Sequence, residues 1–160
     1  MKPTHYSKTF IILHWSAAIL LVTSAFLAKQ KEMQGLPLNL HTILGGFLLI
    51  VMVIRLIAKV NALRHGISSY PETIFYLLLY LLAFFVLGMG VWIAYQRNLM
   101  GYLLDPNSAI GRGSFKLLSD IHKVGWQILL GWIVLHVGMV FYRQFIKKES
   151  VLERMVFQKQ

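Results

Sequence analysis

The chain has 160 residues, of which 57% are hydrophobic, and a mean hydropathy of +0.62. These values exceed what a water-soluble domain usually carries, so lipid is the expected solvent. The absence of cysteine excludes disulfides, iron–sulfur clusters and thiolate metal sites. The net charge of +10 does not indicate nucleic acid as a partner, because the basic residues lie between and beyond the apolar runs and not along one face.

Four apolar runs are long enough to cross a bilayer, which takes roughly 20 residues. In chain order they are Phe10–Ala28, Leu40–Ala58, Thr73–Tyr95 and Ile121–Phe145. The first is interpreted as a mature span and not a signal peptide, because it lacks a small-residue cleavage site. The six acidic residues all fall in connections, termini or helix ends, which disfavours a carboxylate pathway for protons or ions. We predict an all-α, integral membrane four-helix bundle that forms a single domain over residues 1–160.

Lys and Arg are enriched on the cytoplasmic side of membrane proteins, and here they favour the side of the two termini. Ten of the sixteen are assigned to that side, namely Lys2, Lys8, Arg55, Lys59, Arg64, Arg143, Lys147, Lys148, Arg154 and Lys159. The other six are Lys29, Lys31, Arg97, Arg112, Lys116 and Lys123. This distribution predicts that both termini lie in the cytoplasm.

Histidine supplies the chemistry within the spans. Four of the six histidines lie in or near a span: His14, His41, His122 and His136. A hydrogen bond to a neighbouring helix would explain one such residue, but four require a joint explanation because hydrocarbon cannot satisfy imidazole nitrogens. Following the chain through the membrane places His14 and His136 in the inner half and His41 and His122 in the outer half. His136 follows His122 by 14 positions, which correspond to ~21 Å of rise and nearly a whole number of turns, so both project from nearly the same face.

Two histidines on facing helices at one depth offer two axial nitrogens to a haem iron, and filling both axial positions suits electron transfer. Zinc or copper also accept imidazole. A single metal is excluded because ~20 Å between the pairs is far beyond one coordination sphere of ~2 Å bonds. Small residues near the histidines would let a flat macrocycle approach the backbone, although close helix packing is the simpler explanation when they are taken alone. These residues are Gly45, Gly46, Gly125 and Gly138.

The order and spacing of several short motifs resemble the bacterial di-haem cytochrome b561 proteins, over nearly the whole chain. The motifs are His14-Trp15, Leu40–Gly45 (LHTILG), Val53–Leu56 (VIRL), Ile121–Gly125 (IHKVG), Leu135-His136 and the tail Glu149–Met155. The third span departs from the family, since Phe84–Gly88 replaces a common proline-containing stretch. The resemblance implies a bacterial inner membrane and two haem b groups. It further implies that His14 and His136 hold the inner haem iron and that His41 and His122 hold the outer one.

The resemblance also implies a substrate class, because family members pass electrons between membrane ubiquinone and a donor. One branch oxidises superoxide at the outer face, where this sequence places Arg97, Arg112, Lys116 and Lys123. Positive charge there would attract a small anion, and Lys116 and Lys123 are the candidates nearest to His122. Contact with lipid phosphates or solvent is the simpler explanation for each one alone.

Two other functions remain open at this point. The chain could be a haem-bearing membrane anchor subunit that relays electrons for a separate dehydrogenase, in which case its partner is a redox protein. A haem-free membrane scaffold or transporter with structural histidines is the third hypothesis. Catalytic residues are not assigned from the sequence beyond Lys116 and Lys123 as candidates for anion attraction, because bis-histidine haems need no protein acid or base to accept an electron.

Overall fold

A computed structural model describes residues 7–29, 36–64, 70–105 and 116–155. Its helices are α1 (Lys8–Ala28), α2 (Leu36–Arg64), α3 (Tyr70–Gln96), the short α4 (Leu99–Leu104) and α5 (Lys116–Phe141). Within the described ranges all regular secondary structure is helical. Four helices, α1, α2, α3 and the α5 segment, are long and apolar enough to cross a membrane. The predicted all-α fold with four spans is therefore confirmed.

The helix ends follow from local chemistry where the polar side chains can reach the backbone. At the start of α1, the Ser7 hydroxyl accepts a hydrogen bond from the Phe10 amide at 3.3 Å, as a capping residue does. After α3, Asn98 adopts a left-handed conformation with φ of 54° and so redirects the chain into α4. Asparagine tolerates that conformation better than most residues. The helix α2 extends past the predicted span at both ends, since its hydrogen bonding continues beyond the apolar run.

The end of α5 turns the chain back toward α1. A π-helical turn covers Tyr142–Ile146, and Arg143 then pairs with Glu149 through two contacts of 2.6 and 2.7 Å. At the tip of this returning segment, the indole Nε1 of Trp15 donates to the Met155 carbonyl at 3.1 Å. The beginning of α1 and the end of the α5 segment therefore lie at the same end of the bundle. The side of the membrane that this end faces remains a prediction.

Packing between the helices is uneven. Among the described helices, α1 packs against α2, α2 against α3, and α3 against α5. Their shared core consists of Ala17, Leu48, Met52, Tyr80, Ala83, Val86 and Leu129. Neither α1 nor α2 packs closely against α5. Large apolar side chains cover the outward faces, as expected of helices that contact lipid.

Gly125 permits the close approach of α3 and α5. A Cβ atom at this position would lie 3.1 Å from a ring carbon of Phe85 and 3.2 Å from a methyl group of Val86. The same atom at Gly131, six residues further along α5, would meet nothing within 4 Å. The contact at Gly125 thus supports the explanation of this glycine by helix packing.

We predict that Gly125→Leu lowers the free energy of unfolding by about 1–3 kcal/mol, because the added side chain forces α3 and α5 apart. The matched variant Gly131→Leu should be neutral or more stable than the parent, since leucine favours the helix by up to about 1 kcal/mol over glycine. Denaturant unfolding in detergent micelles measures both. Equal destabilisation by the two variants would contradict this account of the α3–α5 contact.

Candidate functional site

Each of the four span histidines faces one partner across the bundle. The ring centres of His14 on α1 and His136 on α5 are 6.4 Å apart, and their planes are inclined by 62°. The ring centres of His41 on α2 and His122 on α5 are also 6.4 Å apart, with planes inclined by 89°. The structure thus brings the histidines together in the predicted pairs. Their role as ligands is a separate question.

The spacing of the rings fits a metal bound between them. With a metal–imidazole bond of about 2 Å and a ring centre roughly 1.1 Å beyond the nitrogen, two axial imidazoles have centres about 6.2 Å apart. The observed 6.4 Å in both pairs agrees with that value. Two imidazoles form a donor set that haem iron accepts. Since the helices of each pair are not closely packed together, the rings face each other across a separation, which suits a flat group.

The two histidines of α5 are not explained by hydrogen bonds within the protein. The Nδ1 atoms of His122 and His136 are buried, and neither makes a well-formed hydrogen bond to a described residue, although the Val86 backbone lies close enough to the His122 ring for a weak one. Buried polar atoms are normally paired. A purely structural role therefore fits these two rings poorly, and a ligand-binding role fits them better.

His41 is oriented by Ser24 of α1, which is a buried polar residue with 8% of its surface exposed. The Nδ1 atom of His41 lies 3.0 Å from the Ser24 hydroxyl and 3.0 Å from the Ser24 carbonyl. A carbonyl only accepts, so Nδ1 carries the proton and donates it. The lone pair is then on Nε2, free to bind a metal. A metal-bound histidine usually donates the N–H of its other ring nitrogen to a backbone carbonyl or a similar acceptor.

His14 has the opposite kind of neighbour, the guanidinium of Arg55. The Nη2 atom of Arg55 donates to Nδ1 of His14 at 3.0 Å. The guanidinium carbon lies 5.6 Å from the ring centre of Phe10 and 6.0 Å from that of Tyr80, within the range of cation–π attraction. Its Nε atom is buried without a hydrogen-bond partner among the described residues.

Arg55 is a candidate site residue that the sequence interpretation missed, since it was grouped with the charges of the cytoplasmic side. The structure places it inside the span, six residues before the apolar stretch ends at Asn61. No described carboxylate pairs with it. The signal that could have identified it is the rule that an ionisable residue within a span is a functional candidate by default.

Aromatic side chains enclose the His14–His136 pair. Phe75 stacks on His136 with ring centres 6.2 Å apart, and Tyr76 meets the same ring edge-on at 5.7 Å. Trp132 stacks on Phe75 and donates to its carbonyl at 3.3 Å. Trp15 lies edge-on to His14 at 5.8 Å. These rings restrict the histidine rotamers and supply an apolar surrounding.

The glycines near the histidines divide into distinct groups. A Cβ at Gly45, Gly46 or Gly138 would meet nothing within 4 Å. Gly90 on α3 was not assigned to the site from sequence, yet a Cβ there would lie 3.3 Å from Cε1 of His122. A side chain at this position would press on the His122 ring, which would have to shift by a few tenths of an ångström. The sequence signal that could have identified Gly90 is a glycine among the large apolar residues of a span. The sequence does not show, however, which neighbouring helix this glycine faces.

The two lysines predicted nearest to His122, Lys116 and Lys123, are exposed, and the charge of Lys123 is partly neutralised. Lys116 is exposed in the first turn of α5. The Lys123 ammonium lies 3.9 Å from the Asp120 carboxylate, with side chains that are 74% and 52% exposed. Arg97 follows α3 in the turn before α4, and Arg112 lies outside the described residues.

Comparison with known families gives one match. The family model described as prokaryotic cytochrome b561 matches residues 5–158. Searches of curated proteins and of solved structures gave no match.

We predict that Gly90→Val displaces the His122 ring and, if His122 is a haem ligand, lowers the haem content of the protein. Gly88→Val is the matched control, because it adds the same side chain two residues away on α3, where nothing lies within 4 Å. Haem per polypeptide in the purified proteins is the measurement. Equal haem content in the two variants would show that Gly90 does not position His122.

Proposed function

This chain belongs to the prokaryotic cytochrome b561 family, whose members are membrane proteins that bind haem b and transfer electrons, and on this basis we propose that it carries two haems. His14 and His136 hold one, and His41 and His122 hold the other. The observation that carries the proposal is the spacing of 6.4 Å in both pairs. Two independent ring pairs share the separation expected of axial ligands.

Haem b supplies reversible one-electron chemistry when it is bound. The protein's own residues provide the rest. Each histidine pair would hold its haem iron with two imidazoles, which would leave no coordination site for oxygen. His136 follows His122 by 14 positions, which separate the two sites by ~21 Å along α5, so the pairs lie in opposite halves of the membrane. Apolar and aromatic side chains around the histidines exclude water from the iron.

For the substrates, we propose an outer-face donor, superoxide, and ubiquinone as the acceptor within the membrane. Each superoxide ion loses one electron and becomes oxygen. Two such electrons together with two protons convert ubiquinone into ubiquinol. The placement of the His41–His122 pair toward the outer face follows from the Lys and Arg distribution, which favours cytoplasmic termini. Exposed Lys116 and Lys123 near His122 support an anionic donor at this end.

We predict about two haems per chain in the native protein and about one in His14→Ala and in His41→Ala. Each substitution removes one axial ligand of one pair, and the other pair is left intact. A dithionite-reduced minus oxidised absorption spectrum, with haem quantified per polypeptide, measures the outcome. His65→Ala, a histidine of the connection between α2 and α3, is the matched control and should retain both haems.

The same spectra show how this proposal would fail. A well-folded preparation without haem would return the histidines to structural roles. A haem count that neither substitution lowers would break the assignment of the ligands.

We predict that Lys116→Gln slows the reaction with superoxide roughly two- to threefold at low salt, because it removes a positive charge from the entry face. Asp120→Asn should speed the reaction by a similar factor, since it removes the carboxylate that partly neutralises Lys123. Haem reduction after a pulse of superoxide, measured at several ionic strengths, tests both variants. High salt should reduce both effects, since exposed charges are screened within about 10 Å at 0.1 M.

Unchanged rates in both variants would contradict anion attraction at this face. Absence of any superoxide reaction in a di-haem preparation would favour the other haem-bearing hypothesis. In that case the chain is an anchor subunit that receives electrons from a separate dehydrogenase.

A further inference from the structure

The two histidine pairs have unequal polar neighbours, and this difference bears on the direction of electron transfer. Resting on the haem ligation proposed above, we infer that the His14–His136 centre is the easier of the two to reduce. An electron that enters at His41–His122 then moves to His14–His136, where it is held. The first centre loses one electron and the second gains it.

The neighbour of His41 favours oxidised iron. Its Nδ1 proton is donated to the Ser24 carbonyl at 3.0 Å. A hydrogen bond from the second ring nitrogen to an acceptor raises the basicity of the ligating imidazole. A more basic ligand stabilises the ferric state over the ferrous state, because ferric iron carries one more positive charge. The hydrogen bond therefore makes this centre harder to reduce.

The neighbour of His14 favours reduced iron. A neutral imidazole bound through Nε2 carries its proton on Nδ1, and Arg55, which only donates, cannot accept that proton. His14 therefore lacks the acceptor that His41 has. The guanidinium also holds a full positive charge beside the His14 ring, with its Nη2 atom 3.0 Å from Nδ1 while that nitrogen accepts. A protonated Nδ1 pushes the guanidinium outward but leaves its charge next to the ring. This charge acts in an apolar surrounding, where electrostatic effects are strong, and it opposes the further positive charge of ferric iron.

Other described charges do not cancel this difference. At the His14–His136 end, Lys59 lies 5.2 Å from the ring centre of Tyr76, and Arg143 is paired with Glu149. At the other end, Lys123 is 74% exposed and paired with Asp120, so solvent and the carboxylate reduce its effect. Arg55 is thus the described cation that contacts a histidine of one pair directly, and half-buried Lys59 adds positive charge at the same end.

The first arm of the test needs no haem. In the structure, Nδ1 of His41 donates and Nδ1 of His14 accepts. Nitrogen NMR of histidine-labelled, haem-free protein in detergent should therefore show opposite tautomers, with the proton on Nδ1 in His41 and on Nε2 in His14. The same tautomer in both residues would remove the basis of the inference.

The second arm is a redox titration of the haem-loaded protein. The haem retained by His41→Ala should have a reduction equilibrium constant at least tenfold larger than the haem retained by His14→Ala, which is 59 mV for one electron. In the otherwise native chain, Arg55→Gln should lower the constant of the higher-potential haem at least tenfold and leave the other within threefold. Arg55→Lys keeps the charge and should restore most of the value. Lys123→Gln, the matched removal of an exposed charge, should shift neither haem more than threefold.

Equal or reversed potentials in the two single-haem variants would overturn the inference. A reversed order is the result expected if His14 loses its Nδ1 proton and binds as an imidazolate paired with Arg55. If the histidine variants fail to fold, the Arg55→Gln titration alone decides, and no shift in either haem contradicts the inference. Failure of the proposed function is a distinct result, because it appears in the haem count and not in the potentials.

Discussion

The structure depends on one constraint, which is that hydrocarbon offers no hydrogen-bond partner to a polar side chain. Every imidazole and guanidinium placed within a span must therefore meet another group of the bundle. His14 and His41 meet this requirement with Arg55 and Ser24. The histidines of α5 have buried Nδ1 atoms for which no described residue provides a well-formed hydrogen bond. The bundle therefore places polar groups at defined depths and leaves some of them without a hydrogen-bond partner among the described residues. This incomplete pairing is typical of a site built for a ligand.

Helix α1 connects the two pairs. It supplies His14 to one pair and Ser24 to the other, where the Ser24 carbonyl and hydroxyl orient His41. It also holds the returning tail through the bond from Trp15 to Met155. Because α1 packs closely only against α2 among the described helices, the α1–α2 interface sets the geometry of both sites. A change in that interface is therefore expected to alter the positions of the histidines at both sites.

Sequence reasoning predicted the spans and the histidine pairs because both depend on distances along the chain. Apolar run length fixes where a helix can cross a bilayer, and chain direction fixes the depth of each histidine. The contacts of Arg55, Ser24 and Gly90 were missed because they depend on how each helix is rotated about its axis, which one sequence does not determine. The turn at Asn98 and the π-helical turn after Phe141 were missed because they depend on local conformations that periodicity does not reveal.

Stability alone does not explain Arg55. A guanidinium in the apolar interior has a large desolvation cost, and no described carboxylate offsets it. The rings of Phe10 and Tyr80 recover part of that cost through cation–π contacts, which contribute roughly 0.5–2 kcal/mol each. An apolar side chain of similar size would avoid the cost, as it often does where buried charges are replaced. A cation beside one histidine pair is therefore better explained by a role at that site than by a contribution to stability, which agrees with the effect on reduction that we propose for it.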